Sequence, residues 1–184
     1  MISHPLIRGL VKGRGLVYIY GPPGTGKTRI GIHFFNLAGS LGLNPIYVAT
    51  EAGSLIVARS LEGGSRVART LDELVKVVCD ALVRGSYVVV DTVNSYYRGD
   101  PDVYSRRMLA AVLAFMRVTG GLALGQASEF SGVISSPGVR VAERYARVLG
   151  YTSRVDDGKF MLRIIKPWEK VLLFKVEGGD LRWL

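Results

Sequence analysis

The chain has 184 residues, 48% hydrophobic and 21% charged, which excludes a disordered or collagen-like chain and suits one compact domain over residues 1–184. Lys and Arg outnumber Asp and Glu by 24 to 15, a formal charge of +9 that favours polyanionic partners, nucleic acid ahead of membrane. One cysteine, Cys79, and two histidines, His4 and His33, exclude a zinc finger, an iron–sulfur cluster or an internal disulfide. The opening MISHPLIRGLVKGRG lacks a continuous apolar core and a small-residue cleavage site, and no apolar run reaches the ~18–20 residues of a membrane span. A cytoplasmic location is expected.

Leu16-Val17-Tyr18-Ile19-Tyr20 is a short apolar, β-rich run that stops at Gly21. Ile30, Phe34, Leu37, Ala38 and Leu41 then recur at i, i+4, i+7, i+8 and i+11, one face of a helix closed by Gly42. Pro45–Thr50 reads as a second buried strand. Leu71, Leu74, Val75, Val78 and Leu82 predict an amphipathic helix that Gly85 stops, and Tyr87–Asp91 a strand. Ser105–Val118 is expected to be helical, with Met108, Leu109, Val112, Phe115 and Met116 inward, and Leu122–Gly125 to be a strand. Three strands are expected beyond, at Arg147–Arg154, Phe160–Ile165 and Val171–Val176, the first two joined by a turn at Asp156-Asp157-Gly158. Short apolar strands alternating with helices predict an α/β fold, a mostly parallel sheet flanked by helices, with a β-rich C-terminal extension.

Gly21-Pro22-Pro23-Gly24-Thr25-Gly26-Lys27-Thr28 fits G-x-x-x-x-G-K-[ST] in full, between a strand and a helix. Glycines let such a loop turn its N–H groups inward as a nest for phosphate oxygens, and the following helix adds its positive end. The nucleotide-binding run is read as Gly21 through Arg29, with ATP and Mg²⁺ as cofactors. Lys27 is expected on the β- and γ-phosphates and the Thr28 hydroxyl on Mg²⁺. Asp91, closing its strand, is the candidate Mg²⁺-side carboxylate, against the plainer reading of a helix-capping Asp. Glu51 ends the strand Pro45–Thr50; because parallel strands bring their C-terminal ends to one edge, it is the candidate base that activates water, against a solvated loop Glu. Gln126, after Leu122–Gly125, is the candidate sensor of the γ-phosphate. Thr92 stands where AAA+ proteins carry a Glu after the strand-end Asp, which counts against that class.

In this order the segments IYGPPGTGKT (19–28), YVATEAGS (47–54), YVVVDTVNSYYR (87–98) and LALGQAS (122–128) resemble the RecA/RadA recombinase ATPase core, over roughly residues 9–178. The resemblance implies a P-loop NTPase of RecA-like fold, with Lys27, Thr28, Asp91, Glu51 and Gln126 in the roles given above. It also implies two DNA-holding loops, at about residues 98–106 and 127–139. RadA-type recombinases carry an N-terminal helix-hairpin-helix domain and a polymerisation motif, for which this sequence leaves no room, and Thr92 replaces the usual Ser. The closer resemblance is to the short archaeal RadB-like paralogues. It implies a slowly hydrolysing ATPase assisting DNA repair and recombination, whose partners are DNA (single-stranded) and/or a RadA-type recombinase. A homo-oligomer and a hetero-oligomer are both open.

Arg140, Arg144 and Arg147, at i, i+4 and i+7, are expected on one helix face, holding nucleic-acid phosphates or facing solvent beside Glu143. Arg106 and Arg107 follow the first expected loop and carry the same two readings. Tyr96 and Tyr97 are read as packing at the sheet rim, with base stacking the alternative. Lys166-Pro167-Trp168-Glu169-Lys170 offers a trans-acting cation for a neighbour's site or, through Trp168, a partner anchor. Cys79 and His33 are read as packing residues. The rival functional reading is a KaiC-like nucleotide switch acting through protein partners without DNA, and a third is a chain that binds ATP without turnover.

Overall fold

A computed structural model describes residues 4–61, 64–130, 133–156 and 158–184. Pro5 at the first helical position and His4, whose Nδ1 accepts from the Leu6 N–H, start α1 (Pro5–Lys12), which buries Ile7, Leu10 and Val11. Strand β1 (Leu16–Gly21) leads through the glycine loop into α2 (Lys27–Ser40), and β2 (Pro45–Ala49) follows. The chain continues as α3 (Ala52–Ser60), β3 (Ser65–Val67), α4 (Leu71–Val83), β4 (Tyr87–Asp91), α5 (Ser95–Gly99), α6 (Val103–Thr119) and β5 (Gly121–Gln126). A hairpin of β6 (Ser128–Phe130) and β7 (Val133–Ser135) precedes α7 (Val139–Tyr145). The chain ends with β8 (Ala146–Asp156), β9 (Lys159–Lys166), β10 (Lys170–Glu177) and β11 (Asp180–Trp183).

The main sheet has the order β11-β10-β9-β8-β1-β5-β4-β2-β3. Its members from β8 to β3 pair in parallel, and β9, β10 and β11 extend it as an antiparallel meander. The alternation of side chains along each strand supplies two cores. Tyr87 and Val89 of β4 face the side covered by α1 and α2, where Ile30, Phe34 and Leu37 pack. Val88 and Val90 face the opposite layer, built from Leu74 and Val78 of α4, Leu109 and Met116 of α6, and Val141 of α7. The protein is therefore an α/β structure with a large, mostly parallel mixed sheet flanked by helices. No helix among the described residues is long and apolar enough to cross a membrane.

Several expectations need correction. Phe115 is exposed, because the buried stripe of α6 is Leu109, Val112, Leu113 and Met116, at i, i+3, i+4 and i+7; Met108 is half-buried. Arg147 does not share a helix face with Arg140 and Arg144. Helix α7 stops at Tyr145, Ala146 turns extended (φ −67°, ψ 127°), and Arg147 lies in β8 beside β1. Residues 98–106 span the end of α5 and the first turn of α6, and residues 127–139 contain the β6–β7 hairpin, with 131 and 132 outside the described residues. Asp157 of the expected turn also lies outside them. Helices α1, α3 and α5 and strands β3, β6, β7 and β11 add to the expected elements.

These layers predict a contrast between two phenylalanines. Phe34→Ala, at a fully buried position, should lower the unfolding free energy in urea by roughly 3–5 kcal/mol. Phe115→Ala should change it by less than about 0.5 kcal/mol.

Candidate functional site

The glycine loop is shaped by close contacts at its two ends. A Cβ at Gly21 would overlap the backbone oxygen and hydroxyl of Thr152, so β8 presses directly on the start of the loop. Gly26 sits at φ +81°, and a Cβ there would come 2.8 Å from the Phe174 ring. Between them the Thr25 hydroxyl bonds the Pro22 carbonyl and the Thr152 hydroxyl, each at 2.8 Å. Lys27 Nζ folds back to donate to the Pro22 carbonyl at 2.6 Å.

Helix α2 carries Thr28 towards β4. Gly31 makes this possible: its missing Cβ would lie 3.0–3.5 Å from Leu124, Tyr47 and Val89, so the helix rests low across β5, β2 and β4. The Thr28 hydroxyl donates to Asp91 Oδ2 at 2.9 Å, and the Tyr47 hydroxyl donates to the same oxygen at 2.7 Å. Thr92 Oγ1 bonds the other carboxylate oxygen, Oδ1, at 3.3 Å. Asp91 is 2% exposed, and these hydroxyls replace the water it has lost. Burial, and then the Asp91 carboxylate, push the Tyr47 phenol well above its usual range, so it remains a donor.

Register brings the other expected residues to the same edge. Gly21 pairs with Gln126, and Ala49 pairs with Asp91. Beyond Ala49, Thr50 Oγ1 donates to the Thr92 carbonyl at 2.7 Å and accepts from the Thr92 N–H at 2.9 Å, which ties the ends of β2 and β4 together. The Asp91–Thr92 peptide is cis. Glu51 follows as the N-cap of α3, where its N–H donates to Ser54 Oγ at 3.2 Å. Its carboxylate is held by Arg98 of α5 at 2.5 Å, with both side chains 28% exposed. Gln126 is fixed through its backbone: its N–H donates to Asn94 Oδ1, and Asn94 Nδ2 donates to the Gln126 and Pro137 carbonyls, all at 2.9 Å.

Pro23, Gly24, Gly26, Lys27, Thr28 and Arg29 thus line one cavity of about 390 Å³ with Glu51, Asp91 and Gln126. Thr25 is turned instead into the contact with Thr152, and Gly21 and Pro22 form the root of the loop. The donor set of one buried carboxylate beside a threonine hydroxyl suits Mg²⁺, which takes oxygen ligands and fills its remaining positions with phosphate and water. Among the described residues no group of three His, Cys, Asp or Glu is placed to hold a metal by itself.

Arg98, Asn94 and Tyr47 were not singled out from the sequence. Arg98 lies 47 positions from Glu51, a pairing that no periodicity reveals. Tyr47 carried a usable signal, since a tyrosine inside a buried strand needs a partner for its hydroxyl. The expected basic residues do not form a single group. Arg106 and Arg107 are exposed early in α6, at the edge where β4 ends, whereas Arg144 and Arg147 flank the start of β8, and Arg140 is exposed on α7. Tyr96 donates to the Ala68 carbonyl at 2.5 Å, and it packs with Tyr97 against the core, as the packing reading requires. His33 is buried and accepts from Trp183 Nε1 at 3.2 Å.

Burial lowers Lys27 to about 8, with Asp91 and Glu51 opposing the shift. An anion bound at the loop would favour the charged amine, so binding should take up a proton above that value. The affinity for ADP is expected to fall by up to about tenfold per pH unit as pH rises above 8, measured by calorimetric titration. Lys27→Ala should lose this slope. Comparisons of the sequence with protein-family models and with curated proteins found no match.

Proposed function

We propose that this chain is an ATP- and Mg²⁺-binding P-loop NTPase of RecA-like fold, a recombinase paralogue that turns over ATP slowly and acts with DNA, a RadA-type recombinase, or both. The observation that carries the reading is the convergence of Lys27, Thr28, Asp91, Glu51 and Gln126 on one cavity at the C-terminal edge of a parallel sheet. The loop N–H groups and Lys27 would bind the phosphates, and Thr28 and Asp91 would hold Mg²⁺, which neutralises charge developing on the transferred phosphoryl group. Glu51 would orient and deprotonate the attacking water. Gln126, fixed on Asn94, is positioned to respond to the γ-phosphate and shares that anchor with Pro137 beyond the β6–β7 hairpin.

The Glu51–Arg98 pair supports slow turnover. A carboxylate engaged by a guanidinium at 2.5 Å must be released from that contact before it can take a proton from water. The same pair also favours a second reading, a KaiC-like switch in which binding rather than hydrolysis is the output.

Steady-state phosphate release separates them. Glu51→Gln is expected to lower turnover by roughly 10²-fold while leaving Mg·ADP affinity nearly unchanged. Unchanged turnover would remove Glu51 from the reaction. No release by the wild type despite tight Mg·ATP binding would favour the switch. Arg98→Ala should raise the basal rate by freeing the base; a rate abolished by this change would instead assign Arg98 to the reaction itself.

A further inference from the structure

The sheet edge opposite the glycine loop holds a second concentration of charge. Arg14, Arg117, Arg144, Arg147 and Lys166 line one recess of about 400 Å³ together with Tyr145, and among the described residues no carboxylate lines it. The residues come from five places: the turn before β1, the end of α6, the end of α7, the start of β8 and the end of β9. Among the described residues none of the five cations is ion-paired.

Backbone carbonyls hold several of them in place. Lys166 Nζ donates to the Glu143 and Ala146 carbonyls, both at 2.9 Å. Arg117 donates to the Arg144 carbonyl and Arg147 to the Leu10 carbonyl, each at 3.3 Å. Space for Arg147 is provided by Gly13 and Gly15, where a Cβ would come 2.6 Å and 3.1 Å from its side chain. The Gly13-Arg14-Gly15 turn therefore seats one arginine while contributing another. Carbonyls orient guanidinium groups without neutralising them, and crowded like charges repel one another until an anion arrives.

We propose that this recess binds the phosphate backbone of a nucleic acid strand. Guanidinium forks match phosphate oxygens bidentately and read no sequence, as phosphate contacts do generally. The cations line a concavity rather than a flat apolar face, which fits a strand entering it better than a plane of lipid headgroups. Arg140, exposed one turn before Arg144 on α7, extends the charge away from the recess. The site lies about 20 Å from the glycine loop, the length of β1 at ~3.3 Å per residue. None of its lining residues belongs to the loops at 98–106 and 127–139. The proposal deepens the functional reading above by placing its nucleic acid, and it rests on that reading only for the class of ligand.

The test is fluorescence anisotropy of a labelled oligothymidine across a salt series. Arg14→Glu/Arg144→Glu changes two exposed side chains that hold no other group, so Mg·ADP affinity should be unchanged and serves as the folding control. The double variant should bind the oligonucleotide at least about tenfold more weakly, with the log–log salt slope reduced in magnitude by about 2. Arg106→Glu/Arg107→Glu should retain binding within about twofold if the recess is the main site. The proposal is overturned if the recess variant keeps the wild-type affinity and slope, or if only the Arg106/Arg107 variant loses binding. It is equally overturned if the wild type binds anionic vesicles but no oligonucleotide, an outcome that leaves the ATP reading standing when Mg·ATP still binds.

Discussion

Asp91 places a negative charge at the buried end of β4, and the site depends on how that charge is satisfied. With 2% of the residue exposed, hydration is replaced by hydroxyls from α2, β2 and the residue that follows Asp91 itself. The Thr28 bond requires α2 to lie low on the sheet, and Gly31 permits this. The Tyr47 bond requires β2 to sit beside β4 in its observed register. One carboxylate therefore fixes the relation between the glycine loop and two strand ends. In a low-dielectric setting its charge acts strongly on any cation brought beside it.

Around this fixed point the remaining candidate groups are held by contacts that differ in kind. Gln126 is locked through its backbone by a fully buried asparagine, so its side chain can move while its Cα stays. Glu51 is fixed at its backbone by the helix cap, whereas its carboxylate is held by a half-buried ion pair that can exchange partners. A cavity built this way has a rigid end at the glycine loop and an adjustable end at Glu51 and Gln126. Under the proposed reading that division suits both a slow hydrolase and a switch, which would differ in whether Arg98 releases Glu51.

Much of this arrangement was legible because parallel strands make strand ends converge. A carboxylate, a glutamate and an amide ending successive apolar runs had to meet the glycine loop once the sheet was parallel, and Asp91, Glu51 and Gln126 do so. Less regular segments were opaque. The five-residue helix α5 has too few turns to show a period, so Arg98 gave no sign of its partner. Arg147 continued a helical spacing that the backbone abandons at Ala146. Phe115 was drawn inward by its hydrophobicity, although Leu113 sits nearer the centre of the stripe. Helix α1 did carry a signal, Pro5 followed by Ile7, Leu10 and Val11, and the three-residue β3 carried almost none.

On the proposed reading, Asp91 and Thr28 complete a Mg²⁺ site once nucleotide phosphates occupy the glycine loop. Equilibrium titration with a non-hydrolysable ATP analogue, in Mg²⁺ and again in excess chelator, tests it most directly. The account predicts that Mg²⁺ strengthens binding to the wild type and that Asp91→Asn removes most of this gain while leaving metal-free binding intact. Equal wild-type affinity with and without Mg²⁺, or no binding in either condition, would contradict it.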